Sequence, residues 1–122
     1  MKAFFFDTYA FLELIGGSPS YKSFCLNTKI VTSKLQLMEL YYFLLCDYGK
    51  EKADYYYTLL VPYSIDFTDE TIQIAMLFRS QNKPKKLSYI DCMGYILAAQ
   101  QHIPFLTGDK EFEQLPNVAF VK

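Results

Sequence analysis

The 122-residue sequence is poor in the residues that zinc sites and catalytic triads require. It contains one histidine, His102, and three cysteines, Cys25, Cys46 and Cys92, which show neither CxxC nor any other metal-ligand spacing. No serine or cysteine nucleophile motif accompanies the histidine, so triad chemistry is poorly supported. We interpret the cysteines as small apolar residues of an intracellular protein. His102, in AAQQHIP, is interpreted as a residue at a helix end.

Long apolar runs and targeting segments are also missing. No apolar run approaches the ~18 residues of a membrane span, and the N-terminus lacks the features of a signal peptide. We therefore expect a cytoplasmic protein. The chain is 52% hydrophobic and 18% aromatic, which argues against disorder. Without repeats, linkers or low-complexity segments, its length predicts a single domain over residues 1–122.

The sequence has no excess of basic residues. Twelve Lys and Arg face thirteen Asp and Glu, for a net charge of −1, which by itself argues against a nucleic-acid partner. If four acids belong to a metal site, nine remain against twelve basic residues, and the remaining surface could accept a polyanion modestly. The densest basic group, NKPKK (82–86), is on its own more typical of a solvated loop.

Short apolar segments alternate with helical patterns along the chain. In KAFFFDTYAFLEL (2–14), three phenylalanines run directly into Asp7, which is typical of a strand buried on both faces. Strands are predicted at 3–6, 29–32, 62–67, 104–109 and 118–121. Helices are predicted at 8–15, 19–26, 33–48, 51–60, 68–81 and 88–102, the third of them opened by a capping-box pattern. Strands alternating with helices indicate an α/β fold with a parallel sheet.

Three aspartates occupy positions that allow two interpretations. Asp7 ends the first strand, Asp109 ends the fourth, and Asp91 lies in the first turn of the helix before the fourth strand. Each could simply cap a helix or turn, and taken singly capping is the favoured interpretation. Ligands of open α/β sheets, however, bind beyond the carboxyl ends of the strands.

Glu39 is harder to explain as a structural residue. It lies two turns into the third helix on a mostly apolar face, it is no cap, and no cation stands at helical spacing. Burying it unpaired would raise its pKa or cost on the order of several kcal/mol. If Glu39 meets the three aspartates in the fold, the carboxylates repel one another unless a positive charge lies between them. Oxygen ligands point to Mg²⁺ or Mn²⁺, and hence to a phosphoester substrate.

Three segments resemble the PIN domain, and specifically the small VapC-like ribonuclease toxins. They are FFFDTYAFLELI, LQLMELYYFL and LSYIDCMGYILAAQQHIPFLTGDKEFEQLPNVAFV. The resemblance implies a single doubly wound, mainly parallel five-stranded sheet of order 3-2-1-4-5 flanked by helices. It further implies an Mg²⁺- or Mn²⁺-dependent endoribonuclease that pairs with a small antitoxin and forms a homodimer. The catalytic, metal-binding quartet would be Asp7, Glu39, Asp91 and Asp109, with Thr107 supporting the site.

Some acids compete with this quartet, and the sequence departs mildly from the family. The family often has small residues after the third acid, whereas here Cys92, Met93 and Gly94 lead to Tyr95. Glu111 or Glu113 could be a further site acid, although exposed helix charges are the favoured interpretation. Asp66 also ends a strand and is interpreted as a turn residue. Glu13 is expected on a solvated face.

Basic and aromatic residues suggest partners. Candidates for RNA backbone contacts, which position RNA without reading its sequence, are Arg79, Lys83, Lys85, Lys86 and Lys110. The tyrosines at 41–42 and 55–57 form either the edge of the core or an exposed patch for a partner helix or a second copy.

Other functional classes stay open from the sequence alone. A haloacid-dehalogenase-like phosphatase would need a second aspartate where Tyr9 stands. A catalytically silent PIN-fold module that binds RNA or protein is compatible with every motif above. So is a housekeeping RNA-processing nuclease without an antitoxin.

Overall fold

The computed structural model describes all 122 residues and contains one five-stranded sheet. Its strands are β1 (Lys2–Phe6), β2 (Thr28–Ser33), β3 (Ser64–Ile65), β4 (Phe105–Thr107) and β5 (Val118–Phe120). They lie in the order β3-β2-β1-β4-β5, and every pairing is parallel. The predicted α/β fold and the strand order 3-2-1-4-5 are confirmed.

Six helices flank the sheet. They are α1 (Thr8–Ile15), α2 (Pro19–Cys25), α3 (Lys34–Tyr48), α4 (Lys50–Leu60), α5 (Asp69–Gln81) and α6 (Tyr89–Gln100). Short 3₁₀ turns follow α4 at Val61–Tyr63 and β4 at Lys110–Phe112. None of the helices combines the length and apolar character needed to cross a membrane.

The central strand β1 is buried on both faces, as the phenylalanine run predicted. Phe6 belongs to a core cluster with Phe11 and residues of α3, whereas Phe5 belongs to a second cluster with Phe105 and residues of α6. Successive side chains of a strand point to opposite faces, so neighbouring phenylalanines supply two different cores. Asp7 therefore directly follows a strand segment that is buried on both faces.

The helix ends follow the predicted signals. Gly49 has φ +93° and ends α3. His102 has φ +57°, and its N–H donates to the Ala99 carbonyl at 3.1 Å while the Ile103 N–H donates to the Ala98 carbonyl at 3.1 Å. This paired pattern is the Schellman motif, which satisfies the last carbonyls of a helix. The predicted helix-end role of His102 is confirmed.

Two local predictions need correction. The strand predicted at 62–67 shrinks to Ser64–Ile65, because the preceding residues form a 3₁₀ turn that contains Pro62, a residue without a ladder N–H. The capping box predicted at the start of α3 is not formed, because it requires Ser33 to accept from the Gln36 N–H. Ser33 accepts from the Leu35 N–H, but the Gln36 side chain bonds elsewhere instead of returning to the Ser33 backbone.

Candidate active site

Four acidic side chains line one open pocket of about 210 Å³ at the carboxyl edge of the sheet. They are Asp7, Glu39, Asp91 and Asp109, the four residues singled out in the sequence. Strand β1 pairs directly with β4, with Phe6 opposite Leu106, so the aspartates that follow these two strands leave the sheet side by side. The tertiary structure thus brings together carboxylates from four separate segments of the chain.

Asp7 is the most enclosed of the four, with 3% of its surface exposed. One carboxylate oxygen, Oδ1, accepts from the Thr8 N–H at 2.9 Å and so caps α1. The other, Oδ2, accepts from the Thr107 hydroxyl at 2.8 Å. Thr107 Oγ1 also accepts from the Asp109 N–H at 3.1 Å, so this threonine joins the two aspartates.

Asp91 and Asp109 are also caps, and each leaves one oxygen without a hydrogen bond inside the protein. Asp91 Oδ2 accepts from the Ser88 N–H at 2.9 Å in a complete capping box. Asp109 Oδ1 accepts from the Glu111 N–H at 3.0 Å. The capping interpretation of all three aspartates is confirmed, and it is compatible with the site interpretation. The caps hold one oxygen of each carboxylate and orient the group toward the pocket.

Glu39 enters the pocket from α3, half-buried and beside Phe43. Its carboxylate makes no hydrogen bond and no ion pair within the protein, since the one salt bridge of the structure joins Lys50 to Asp54. Glu39 is therefore neither a cap nor half of an ion pair. Its place among the other three carboxylates is the feature that ordinary helix packing leaves unexplained.

The pocket is electrostatically uncompensated. Burial, followed by the charge of Asp91 and that of Glu39, raises the pKa of Asp7 to about 8, although its hydrogen bond from Thr107 opposes the rise. Burial also raises the pKa of Asp91 to about 6, with the charges of Glu39 and Asp109 adding to the effect. Asp7 and Asp91 are therefore harder to ionise, chiefly because they are buried and also because other carboxylates lie nearby.

The donor set fits a hard divalent cation held in an open site. Glu39, Asp91 and Asp109 line the same pocket, and each has a carboxylate oxygen without a hydrogen bond. Oxygen is the ligand that Mg²⁺ and Mn²⁺ prefer. No three His, Cys, Asp or Glu side chains lie close enough together to form a protein-only ligand group. Mg²⁺ usually keeps several waters and uses only one or two carboxylates, so wider spacing is compatible with it.

The predicted RNA-contacting residues differ in their freedom to bind. Arg79 is engaged within the protein: its Nε donates to the Leu87 carbonyl at 3.0 Å, and its guanidinium lies 4.6 Å from the centre of the Tyr89 ring. Lys110 is exposed and directly follows Asp109. The segment between α5 and α6 carries Lys83, Lys85 and Lys86, and it is joined to the Asp109 turn because the Lys86 N–H donates to Glu111 Oε1 at 2.9 Å.

The competing acids stay outside the pocket. Asp66 is exposed at the end of β3, Glu111 accepts the Lys86 bond just described, and Glu113 is exposed. Glu13 is half-buried on α1, more enclosed than the solvated face that its sequence position predicted. None of the four lines the carboxylate pocket.

Several pocket residues carried no signal in the sequence. Thr8, Tyr9 and Leu12 of α1 line the pocket together with Phe43 of α3. A residue adjacent to Asp7 such as Thr8 could have been found by proximity alone. Phe43 lies one helical turn beyond Glu39, and only the packing of α3 against α1 places it here.

Gly108 is predicted to be irreplaceable between Thr107 and Asp109. A Cβ added there would lie 2.4 Å from the Val121 carbonyl oxygen and 2.4 Å from the Tyr9 ring. Backbone cannot move aside cheaply, so we expect Gly108→Ala to lower the free energy of unfolding by ~3 kcal/mol, the upper range for overpacking. Urea unfolding measures this. Gly16→Ala is the control, since its Cβ would meet nothing nearer than 3.1 Å; equal losses in both variants would contradict the prediction.

Comparison with known protein families shows to which family this chain belongs. The sequence model of the PIN domain matches residues 4–118, nearly the whole chain. The chain belongs to the PIN domain family. No curated protein sequence is significantly similar to this PIN domain. The rival phosphatase class would need a second aspartate at position 9, where this chain has Tyr9.

Solved structures share the fold of this PIN domain at low sequence identity. The Mycobacterium tuberculosis toxin VapC20, described as cleaving the sarcin-ricin loop, superposes with a TM-score of 0.84 at 15% identity, covering 98% of this chain and 99% of that one. DNA-bound VapBC from Salmonella typhimurium gives 0.75 at 22% identity, over 98% and 97% of the chains. VapBC2 from Rickettsia felis gives 0.75 at 20% identity, over 98% and 99%.

Proposed function

We propose that this PIN domain is a divalent-metal-dependent endoribonuclease and the toxin of a type II toxin–antitoxin pair. The observation that carries the proposal is the single pocket that gathers Asp7, Glu39, Asp91 and Asp109 without a protein cation. Family membership and a fold shared with VapC toxins support the nuclease class. The proposal treats residues 1–122 as one domain that acts in the cytoplasm.

In this proposal the four carboxylates together hold Mg²⁺ or Mn²⁺, either directly or through the waters that the cation keeps. The bound cation would activate a water for attack on a phosphodiester and neutralise charge on the leaving oxygen. Asp7 is held by Thr8 and Thr107, so its orientation is set before substrate arrives. The free oxygens of Glu39, Asp91 and Asp109 supply the remaining negative charge.

The RNA backbone is proposed to lie along the basic residues beside the pocket. Lys110 is the strongest of them, because it is exposed and adjacent to Asp109. The segment that carries Lys83, Lys85 and Lys86 leads into the first turn of α6, where Asp91 lies. Arg79 is the weakest, since its guanidinium is already bound by Leu87 and Tyr89. Such contacts would position RNA without selecting its sequence.

A small antitoxin and a second copy of the chain are the proposed partners. Several structural neighbours are toxin–antitoxin complexes, including one from Klebsiella pneumoniae. Both tyrosine interpretations find support here. Tyr41 and Tyr57 pack edge-to-face at the core margin, with centroids 5.7 Å apart, whereas Tyr42 and Tyr55 are 63% and 61% exposed on α3 and α4.

Removal of divalent metal is expected to abolish RNA cleavage. Purified protein should cut RNA in the presence of Mn²⁺ and leave it intact in excess EDTA, and added Mn²⁺ should restore cleavage, because the carboxylates alone cannot neutralise the leaving oxygen. Denaturing gels of labelled RNA measure the products. A catalytically silent binding module would retard RNA on native gels yet leave it intact in every lane, which would overturn the proposal.

A further inference from the structure

Buried polar residues are concentrated beside the carboxylate pocket. The protein buries seven polar side chains, and six of them lie at the ends of β1, β2 and β4 or in the helix turns that follow: Asp7, Thr8, Thr32, Ser33, Gln36 and Thr107. Buried polar groups are costly unless they are hydrogen-bonded, and every one here has a partner. These residues form a buried, hydrogen-bonded polar network beside the pocket.

Gln36 occupies the centre of this network with none of its surface exposed. Its backbone carbonyl accepts from the Thr8 hydroxyl at 3.3 Å, and its side-chain Nε2 donates to the Ile90 carbonyl at 3.0 Å. Its Oε1 accepts from the Ser33 hydroxyl, which fixes the orientation of the amide.

The three elements that Gln36 joins are those that carry three of the site carboxylates. Thr8 directly follows Asp7, and Ile90 directly precedes Asp91. Glu39 lies three residues after Gln36 on α3, so both side chains project from neighbouring parts of one helix face. The Gln36 side chain thus joins α3 to α6, and the Gln36 backbone carbonyl joins α3 to α1, beside the pocket.

The packing of α6 is adapted to this side chain. A Cβ built on Gly94 would lie 2.4 Å from the Gln36 Nε2 and 3.1 Å from the rings of Phe5 and Phe105. The absence of a side chain at Gly94 therefore leaves the space that the amide occupies. The bond to Ile90 and the glycine one turn later form a single fitted contact between α3 and α6.

We propose that Gln36 is a positioning residue whose side chain sets the separation of Asp91 from Glu39 and Asp7, and thereby the affinity of the pocket for a divalent cation. This inference rests on the proposed nuclease function. Gln36 does not line the carboxylate pocket, and it acts through the helices that carry the carboxylates. Residues that hold metal-ligating side chains in position typically contribute 10- to 100-fold to metal affinity or activity.

Gln36→Met tests the proposal, because methionine has similar length and shape but cannot make either side-chain bond. We expect the Kd for Mn²⁺, measured without RNA by electron paramagnetic resonance of the free ion, to rise at least about tenfold. The cleavage rate should recover at high Mn²⁺, with the KM for RNA unchanged. Ser33→Ala, which releases the amide but keeps Gln36, should weaken Mn²⁺ binding in the same direction.

Thr71→Val is the matched control. Thr71 is buried and its hydroxyl donates to Gln100 Oε1 at 2.8 Å, a polar bond between α5 and α6 away from the pocket. The Thr71→Val variant should be less stable than the wild type but should bind Mn²⁺ with the same affinity. Unchanged Mn²⁺ affinity in folded Gln36→Met or Ser33→Ala, or equal weakening in Thr71→Val, would overturn the role of Gln36 while leaving the nuclease function intact. Failure of the wild-type protein to bind Mn²⁺ would overturn both.

Discussion

Asp7→Asn is expected to lower the rate of RNA cleavage by about 10³-fold. The substitution keeps the shape of the side chain, and an amide oxygen can still accept from the Thr8 N–H that Asp7 caps. What it removes is the negative charge at the most enclosed position of the pocket. Loss of several kcal/mol of electrostatic stabilisation corresponds to this change in rate. Single-turnover cleavage of labelled RNA at saturating Mn²⁺ measures it.

Asp66→Asn is the matched control for this prediction. Asp66 also follows a strand, and it is exposed and outside the pocket, so its neutralisation should leave the cleavage rate within about twofold of the wild type. Circular dichroism of both variants establishes that they are folded. If Asp7→Asn cleaves RNA as fast as Asp66→Asn, Asp7 has no part in the chemistry and the assignment of the pocket is wrong.

The metal-free protein is expected to lose stability as pH rises from about 4 to 8. Folding raises the pKa of Asp7 from 3.8 to about 8, chiefly through burial. Between these values the folded protein holds a proton that the unfolded chain has released, so the free energy of unfolding falls with pH and levels off above the folded pKa. The loss is on the order of several kcal/mol. Asp91, with its pKa raised to about 6, acts in the same direction.

Urea unfolding in EDTA at pH 5 and pH 8 measures this dependence. Asp7→Asn has no proton to lose at this position, so its stability should fall much less over the same interval and should exceed that of the wild type at pH 8. Added Mn²⁺ should restore wild-type stability at pH 8, because a ligand that binds only the folded state stabilises it. If the free energy of unfolding of the wild type stays constant or rises from pH 5 to 8, folding does not raise the pKa of Asp7 and the prediction is wrong.

The two effects have one cause. A buried carboxylate destabilises the metal-free protein at neutral pH, and the function of the site explains why its charge is present. Such local destabilisation is typical of functional sites. The same substitution is therefore expected to stabilise the metal-free protein and to remove its activity. A purely structural aspartate would show the opposite pairing, with loss of stability and no specific effect on the reaction.

The order of the strands and helices, and most of their bounds, could be predicted from local sequence patterns. Local signals were sufficient because the phenylalanine run, Gly49, Thr68 and the Ser88–Asp91 pair act within one or two helical turns. The length of the strand at Ser64–Ile65 was overestimated because the residues before it form a 3₁₀ turn that contains Pro62. The topology came from resemblance to the PIN family, as no local signal states which strands are neighbours.

That each aspartate both makes a capping bond and lines a shared pocket became clear only from the folded chain. From the sequence, capping and metal binding were competing explanations of Asp7, Asp91 and Asp109; in the fold, each carboxylate uses an oxygen for a cap, and all three face one pocket with Glu39. The role of Gln36 was likewise invisible, because its partners Thr8 and Ile90 lie 28 and 54 residues away in the chain. Hydrogen bonds over such distances exist only once the chain has packed, and the local pattern of residues carries no trace of them.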